Sequence, residues 1–425
     1  MTNAAHGGPV EQSTGPVLPA RRYYHGWNIV ALCVAVQIAA LGLTLNSFSL
    51  FLKDWTAEFG LPASTFALGI TIFSAGCAVV APFAGLLADR VPARWLFAAL
   101  LVMLAAIHLA ISAVGNGWQI VWIYALALPV AVTLSSGIPS QTVVSRWFVR
   151  RVGLAMGFTA FGLALSGVLL PSLIVALLPA IGWRAIWQLF AGLIVVVILP
   201  LILIAMRDRP HAAEGAHYVG EPTVMPQLPR LTARQVFGRR NFWIIVAAFL
   251  PVQCVSISMT VNLTPIVTSY GYSRTAAGAM IAVMSLSALT AKLVAGLAAD
   301  RFGNRLPLIT TALLCACGLL ALLSHANLIE LALAFMLIGL SQGAWTLLAS
   351  ATVAEFGKHG FGRAFGLACV FPPFASIAPL VVAWLREVNG TYSTGLAGLA
   401  ALAVLGAGAA LLLRERGVRG GQETA

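Results

Sequence analysis

Lys292 lies inside the apolar run 275–299, with no second charge before the polar turn that begins at Asp300. An ammonium group in hydrocarbon costs roughly 2.5–3.5 kcal/mol on insertion scales, so it is kept where something negative or something wet needs it. Two kinds of chemistry follow. One is binding an anion by charge. The other is taking up and releasing a proton, which lysine can do and arginine cannot. At about 100° per residue, Ser285, Ala288, Ala295 and Gly296 fall on the lysine's side of a helix, and Val283, Leu286, Val294 and Leu297 fall opposite. Small residues around the charge and large aliphatics across from it predict that Lys292 faces the protein interior. The alternative is a snorkelling lysine: Lys292 lies seven residues before Ala299, about 10 Å at 1.5 Å per residue, and its stem covers part of that distance.

Other polar groups in apolar runs could complete a pocket around that charge: Gln37, Asn46, Gln253, Asn262, Gln342 and Trp345. Gln37 and Asn46 are nine apart and share a helix side. Each of these also fits plain packing or a helix-to-helix hydrogen bond. Phe371-Pro-Pro-Phe374 interrupts its run, and Phe371 is a candidate to close a cavity at the resulting kink. His108 and His325 read as structural. No aspartate or glutamate lies in the interior of the runs; Asp54, Glu58, Glu330 and Glu387 sit near their ends on one side. A lone cation without membrane carboxylates argues for an anionic ligand, and one positive charge suits one carboxylate best. No nucleophile–base set, metal-ligand cluster or phosphate loop is present, so the chain does not read as an enzyme and implies no cofactor.

These residues must be positioned by membrane helices. Of 425 residues, 60% are hydrophobic and 9% charged, where a soluble protein carries roughly 25% charged. Twelve apolar runs can each cross a bilayer: 27–52, 63–88, 95–113, 118–144, 154–179, 185–206, 241–269, 275–299, 306–324, 328–353, 364–385 and 392–413. The expected organisation is a disordered tail over 1–20, a six-helix bundle over 21–206, a proline-rich linker over 207–240 with a short surface helix near Thr232–Gly238, a second six-helix bundle over 241–413 and a tail over 414–425. Of the 25 lysines and arginines, 20 fall on the linker side, Lys53, Arg184, Arg274 and Arg386 fall on the other, and Lys292 lies between. That bias places the linker and both termini in the cytoplasm, in an inner membrane. The net charge of +12 therefore marks topology and not a nucleic-acid surface. The six cysteines lie in apolar runs without a CxxC spacing and read as small core residues.

The halves repeat. Gly85-Leu-Leu-Ala-Asp-Arg-Val-Pro-Ala-Arg94 recurs as Gly296-Leu-Ala-Ala-Asp-Arg-Phe-Gly-Asn-Arg305, each joining the second and third runs of its half. Gly153-Leu-Ala-Met-Gly157 recurs as Gly362-Arg-Ala-Phe-Gly366. Six runs, a linker and six runs are the plan of a two-bundle transporter with its site near the midplane. The turns place Asp89, Arg90 and Arg94 beside Arg146, and Asp300, Arg301 and Arg305 beside Glu355 and Arg363. This charge set is expected to act as a cytoplasmic gate whose ion pairs hold the bundles together; charge that only sets topology is the alternative.

With its GxLaDRxxxR loop present twice, the chain resembles the major facilitator superfamily. Four further stretches resemble its monocarboxylate transporter and oxalate/formate antiporter branch: Tyr23-Tyr-His-Gly-Trp27, Arg146-Trp-Phe-Val-Arg-Arg-Val-Gly-Leu-Ala-Met-Gly157, Asn262-Leu-Thr-Pro-Ile-Val-Thr-Ser-Tyr-Gly271 and Ala291-Lys292-Leu-Val-Ala-Gly-Leu297. The resemblance implies an all-α fold of twelve transmembrane helices in two bundles, and it sets Lys292 at the position of an arginine that binds the substrate carboxylate. The chain departs from the branch in four ways. Lysine replaces that arginine, Ala288 stands where animal members have an aspartate, and Asn46 stands at the place of their first-run lysine. The antiporter's second cation, in the eleventh run, has no counterpart in 364–385. The expected function is secondary transport of a small organic anion, with a monocarboxylate as the best match and a proton as candidate co-substrate, by a monomer. The alternatives are an exporter of hydrophobic compounds, a dicarboxylate or carboxylate exchanger, and a membrane sensor on the same scaffold.

Overall fold

The computed structural model describes residues 24–42, 44, 47–135, 137–148, 151–208, 231–324 and 327–414. Among them every regular element is helical. Hydrocarbon offers no water to a peptide group, so a chain this apolar closes its backbone hydrogen bonds within each segment. The first half runs α1 (Gly26–Leu41), α2 (Phe48–Phe59), α3 (Ala63–Arg90), α4 (Ala93–Ser112), α5 (Gly117–Trp122), α6 (Leu128–Ser135), α7 (Gly137–Trp147), α8 (Val152–Leu193) and α9 (Leu199–Ala205). A short α10 (Ala233–Phe237) follows, and then α11 (Arg240–Ser269), α12 (Arg274–Phe302), α13 (Arg305–Leu323), α14 (Leu328–Ser341), α15 (Ala344–Ala368), α16 (Ile377–Asn389) and α17 (Ser393–Leu411). Among the described residues ten stretches are long and apolar enough to cross a membrane, and Gly26–Leu41 and Val152–Ser166 are shorter apolar helices.

The differences from the twelve sequence runs have local causes. Within run 27–52, α1 ends at Leu41 and α2 begins at Phe48, and residues 43, 45 and 46 lie outside the described residues. Runs 154–179 and 185–206 meet at Gly182, with φ 75° and ψ 165°. The α15 helix is broken in the same way at Gly357, with φ 68° and ψ 173°. A Cβ at either glycine would meet nothing within 4 Å, so the left-handed backbone, not crowding, calls for glycine. After Ala368 a 3-10 turn over Pro372–Ser376 separates α15 from α16. Proline lacks the amide needed to continue the helix there. In the linker, α10 starts at a capping box between Thr232 and Gln235.

One face gathers the start of α1, the end of α7, the start of α4 and the chain after α9. The Tyr24 hydroxyl donates to the Trp147 carbonyl, Trp147 Nε1 donates to the Arg207 carbonyl at 2.9 Å, and Arg94 Nε donates to the Met206 carbonyl at 3.1 Å. This is the linker face. Toward the opposite face Phe51, Trp55, Phe66, Tyr124 and Trp187 are fully buried. The two halves meet where α3 packs on α15 and α8 packs on α12. Glycines make these approaches possible. A Cβ at Gly157 would stand 2.5 Å from the Lys292 carbonyl oxygen, and one at Gly366 would stand 2.7 Å from the Ala81 carbonyl oxygen. Small residues at helix crossings let backbones come this close.

Candidate functional site

Lys292 is buried at 8% relative exposure, so its side chain faces the protein and does not snorkel to an edge. The sided pattern around it is physical. Ala288, Ala291, Ala295 and Ala299 are buried, while Leu286, Val294 and Leu297 are exposed on the other side. Ser285 shares the lysine's side by angle but is exposed. Two packing surfaces trap the lysine's turn. Gly157 of α8 lies against the Lys292 carbonyl, and Gly343, just before α15, lies against the carbonyl of Ala291. Among the described residues the Lys292 ammonium has no hydrogen bond and no ion pair. A buried charge of this kind calls for a negative or hydrated partner.

The candidate amides divide into two groups. Gln37 donates to the Thr159 carbonyl at 2.9 Å and joins α1 to α8. Asn262 donates to Ser258 of its own helix at 3.2 Å. Both use a donor in the scaffold. Gln253 and Gln342 are half-buried, and their side chains have no partner among the described residues. Asn46 and His325 lie outside the described residues. Trp345 packs between Phe249 and Phe365, at 5.7 and 6.4 Å between ring centroids. Phe371 packs on Phe242 and Trp243 at 6.4 and 5.7 Å, near the linker-face end of α11. His108 is buried edge-on to Trp187 at 5.0 Å.

Gln141 was not singled out from sequence. Its amide donates to the Met156 carbonyl at 3.3 Å, one residue before the glycine that touches the Lys292 backbone. Its buried Oε1 has no donor among the described residues. A glutamine inside the run 118–144 was the available signal.

On the linker face the two repeated aspartates reach across the halves. Asp300 of α12 accepts from the main-chain N–H of Gly153 at 2.7 Å and of Leu154 at 2.8 Å. Those amides belong to the first turn of α8, where helix N–H groups have no internal partner and the helix dipole favours an anion. Asp89 of α3 accepts from the main-chain N–H of Arg363 at 2.9 Å, six residues past the break at Gly357. It also stands 3.5 Å from Arg146 of its own half. Glu355 pairs at 3.2 Å with Arg239 at the end of the linker and accepts from Asn241 at 2.7 Å, with no hydrogen bond or ion pair to the first half among the described residues. Arg90 is exposed, and Arg301 lies over the Phe302 ring at 5.3 Å. Arg305 opens α13. The two aspartates thus meet main-chain amides across the halves, while the Arg146–Asp89 pair stays within the first half and the Arg239–Glu355 pair joins the linker end to the second. At Asp300 the cross-half contact goes to the amides of a helix start, with the Arg151 charge acting on the same carboxylate.

The sequence matches the family profile of the Major Facilitator Superfamily over residues 32–369 and 253–425. The chain belongs to that superfamily. Like its transporter-named relatives, this superfamily member is a membrane transport protein and not an enzyme. It is 28% identical over 194 residues to the riboflavin transporter RibJ of Trypanosoma cruzi, covering 45% of this chain but only 41% of that protein. It is 25% identical over 397 residues to monocarboxylate transporter 11 of Mus musculus, covering 87% of this chain and 83% of the relative. Among solved structures, the superfamily fold is shared with the proton:xylose symporter XylE, with a TM-score of 0.70 at 17% identity, covering 92% and 96% of the two chains.

Proposed function

We propose that the protein is a secondary transporter with twelve membrane helices in two bundles, which carries a small organic anion, best a monocarboxylate, by alternating access. Its linker, both termini and the linker face lie in the cytoplasm of an inner-membrane protein, on the strength of the lysine and arginine bias. The observation that carries the reading is Lys292, a buried cation without a counter-ion among the described residues. It is framed by small residues and lies at the level of the half-buried Gln253 and Gln342. An anion entering that space completes the missing pair, and Gln253, Gln342 and Gln141 are the amides with capacity left to orient it.

The linker face serves as the gate. Asp300 on the start of α8 and Asp89 on α15 hold it closed, so the conformation described is shut on the cytoplasmic side. Lys292 is the best candidate to carry a coupled proton, because the spans lack interior carboxylates. Lysine can lose its proton when the site empties and regain it with the anion, whereas arginine keeps its proton throughout. The test is uptake of labelled mono- and dicarboxylates into proteoliposomes with and without an inward proton gradient. Lys292→Ala abolishes uptake. Lys292→Arg still binds and exchanges the anion but loses gradient-driven accumulation. Unchanged kinetics in the alanine variant would falsify the anion site, and a full gradient response in the arginine variant removes Lys292 as the proton carrier.

A further inference from the structure

A cavity of about 480 Å³ opens between the far ends of α11 and α16, lined by Thr264, Pro265, Thr268, Ser269 and Arg386. Lys292 is not part of its lining. It lies at the face opposite the linker, since Ser269 ends α11 and Arg386 is in the last turn of α16. Arg386 is exposed, touches the Tyr392 ring at 5.0 Å, and its guanidinium has no hydrogen bond or ion pair among the described residues. On the same face Arg184, by contrast, is paired with Glu58. The planar fork of Arg386 is therefore free to take a carboxylate with two hydrogen bonds. The opposing wall is hydroxylic. Thr268 and Ser269 donate to main-chain carbonyls at 2.9 and 2.7 Å, and a hydroxyl can turn to a bound anion instead.

By helical spacing, the polar stripe of α11 continues inward from the cavity. Positions 264 and 268 share a helix stripe with Thr260 and, eleven residues below 264, with Gln253. Counted from the turn between α11 and α12 at 1.5 Å per residue, Gln253 and Lys292 both lie about 30 Å deep, so the stripe leads from Arg386 to the level of the lysine.

We infer that this cavity is an outer recruitment site for a small carboxylate, held by Arg386 against the hydroxyls of α11 before it moves to Lys292. The inference rests on the organic-anion reading above. It is tested on the full chain in proteoliposomes carrying Thr268→Cys. Two thiol reagents of similar size and opposite charge are applied, sulfonatoethyl and trimethylammonioethyl methanethiosulfonate, and their rates at position 268 are read by peptide mass spectrometry. The measurement is repeated with Arg386→Gln and Arg386→Lys added. One charge near contact distance in water changes the local concentration of a monovalent ion about five-fold. The preference for the anionic reagent is expected to fall by about that factor in Arg386→Gln and to persist in Arg386→Lys. Sodium lactate is expected to slow the anionic reagent more than sodium chloride of equal ionic strength, and only when position 386 is basic. A preference unchanged by Arg386→Gln, or equal slowing by the two salts, overturns the site. The reagents need no transport, so missing uptake beside an intact charge preference counts against the transported anion alone.

Discussion

Gly157→Ala is the sharpest probe of how the halves hold together. The added Cβ would stand 2.5 Å from the Lys292 carbonyl oxygen, 3.3 Å from its carbonyl carbon and 3.4 Å from the Leu293 Cα. All three are backbone atoms, so no side chain can swing aside. Real Cβ atoms stay beyond 3.0 Å, and ordinary contact begins at 3.4 Å. Helices α8 and α12 must therefore separate by about 0.5–0.9 Å there, at an overpacking cost of about 1–3 kcal/mol. One turn nearer the linker face, the Asp300 bonds of 2.7 and 2.8 Å to Gly153 and Leu154 would stretch toward the limit of useful geometry. The closed linker face should lose a factor of about 5–150 against the open one. The assay is pulsed electron-spin distance measurement between labels at positions 90 and 301, both exposed and in different halves. A longer-distance population should grow in Gly157→Ala. Gly192→Ala is the control, since it lies beyond the break at Gly182 with nothing within 4 Å and gains the same helix propensity. If the two variants give the same distance distribution, the close approach of α8 and α12 does not set the closed state.

Two further outcomes can be checked alongside. Asp300→Asn keeps a hydrogen-bond acceptor but removes the charge at the start of α8, which is worth about 0.3–1 kcal/mol at such a site; thiol accessibility from the linker side should rise in that variant, and unaltered accessibility leaves the aspartate a purely topological role. On the opposite face, partial burial of the Glu58 carboxyl is outweighed by hydrogen bonds from Arg184 and Trp183, which hold it below the ordinary value of 4.5. Because the folded value is depressed, its contribution to stability is present above pH 4.5 and is lost as pH falls through the lower folded value. The melting-temperature gap between wild type and Glu58→Gln in detergent should therefore be widest near neutrality and close in acid, and a gap that is constant with pH contradicts this sign.

The helical class and the inward lysine were legible in the sequence because they depend on local rules: length of apolar run, and small residues on one side of a helix. Leu286, Val294 and Leu297 face outward as that pattern requires. The exposure of Ser285 was not legible, because angle alone does not say where along a helix its neighbours withdraw. Gln37 shows a second limit. A buried amide reads equally as ligand or brace until its partner is known, and the Thr159 carbonyl is 122 residues away in the chain. The partners of Asp89 and Asp300 were hidden for a third reason. Main-chain amides are present at every residue, so composition carries no mark of the few that a distant carboxylate reaches.

The bond from Asp300 to the Gly153 and Leu154 amides, read as the proposed latch, has a consequence for how that contact can vary. A carboxylate reading a main chain ignores which side chain the receiving residue carries, provided that it is small enough to approach. The two ends of the latch are therefore not exchangeable. Reversing the charge at position 300 leaves nothing at 153 or 154 to reverse in answer, since no substitution turns a peptide N–H into an acceptor. Loss of the acid must be made good elsewhere in the molecule, while the receiving helix may drift in every side chain that its packing allows.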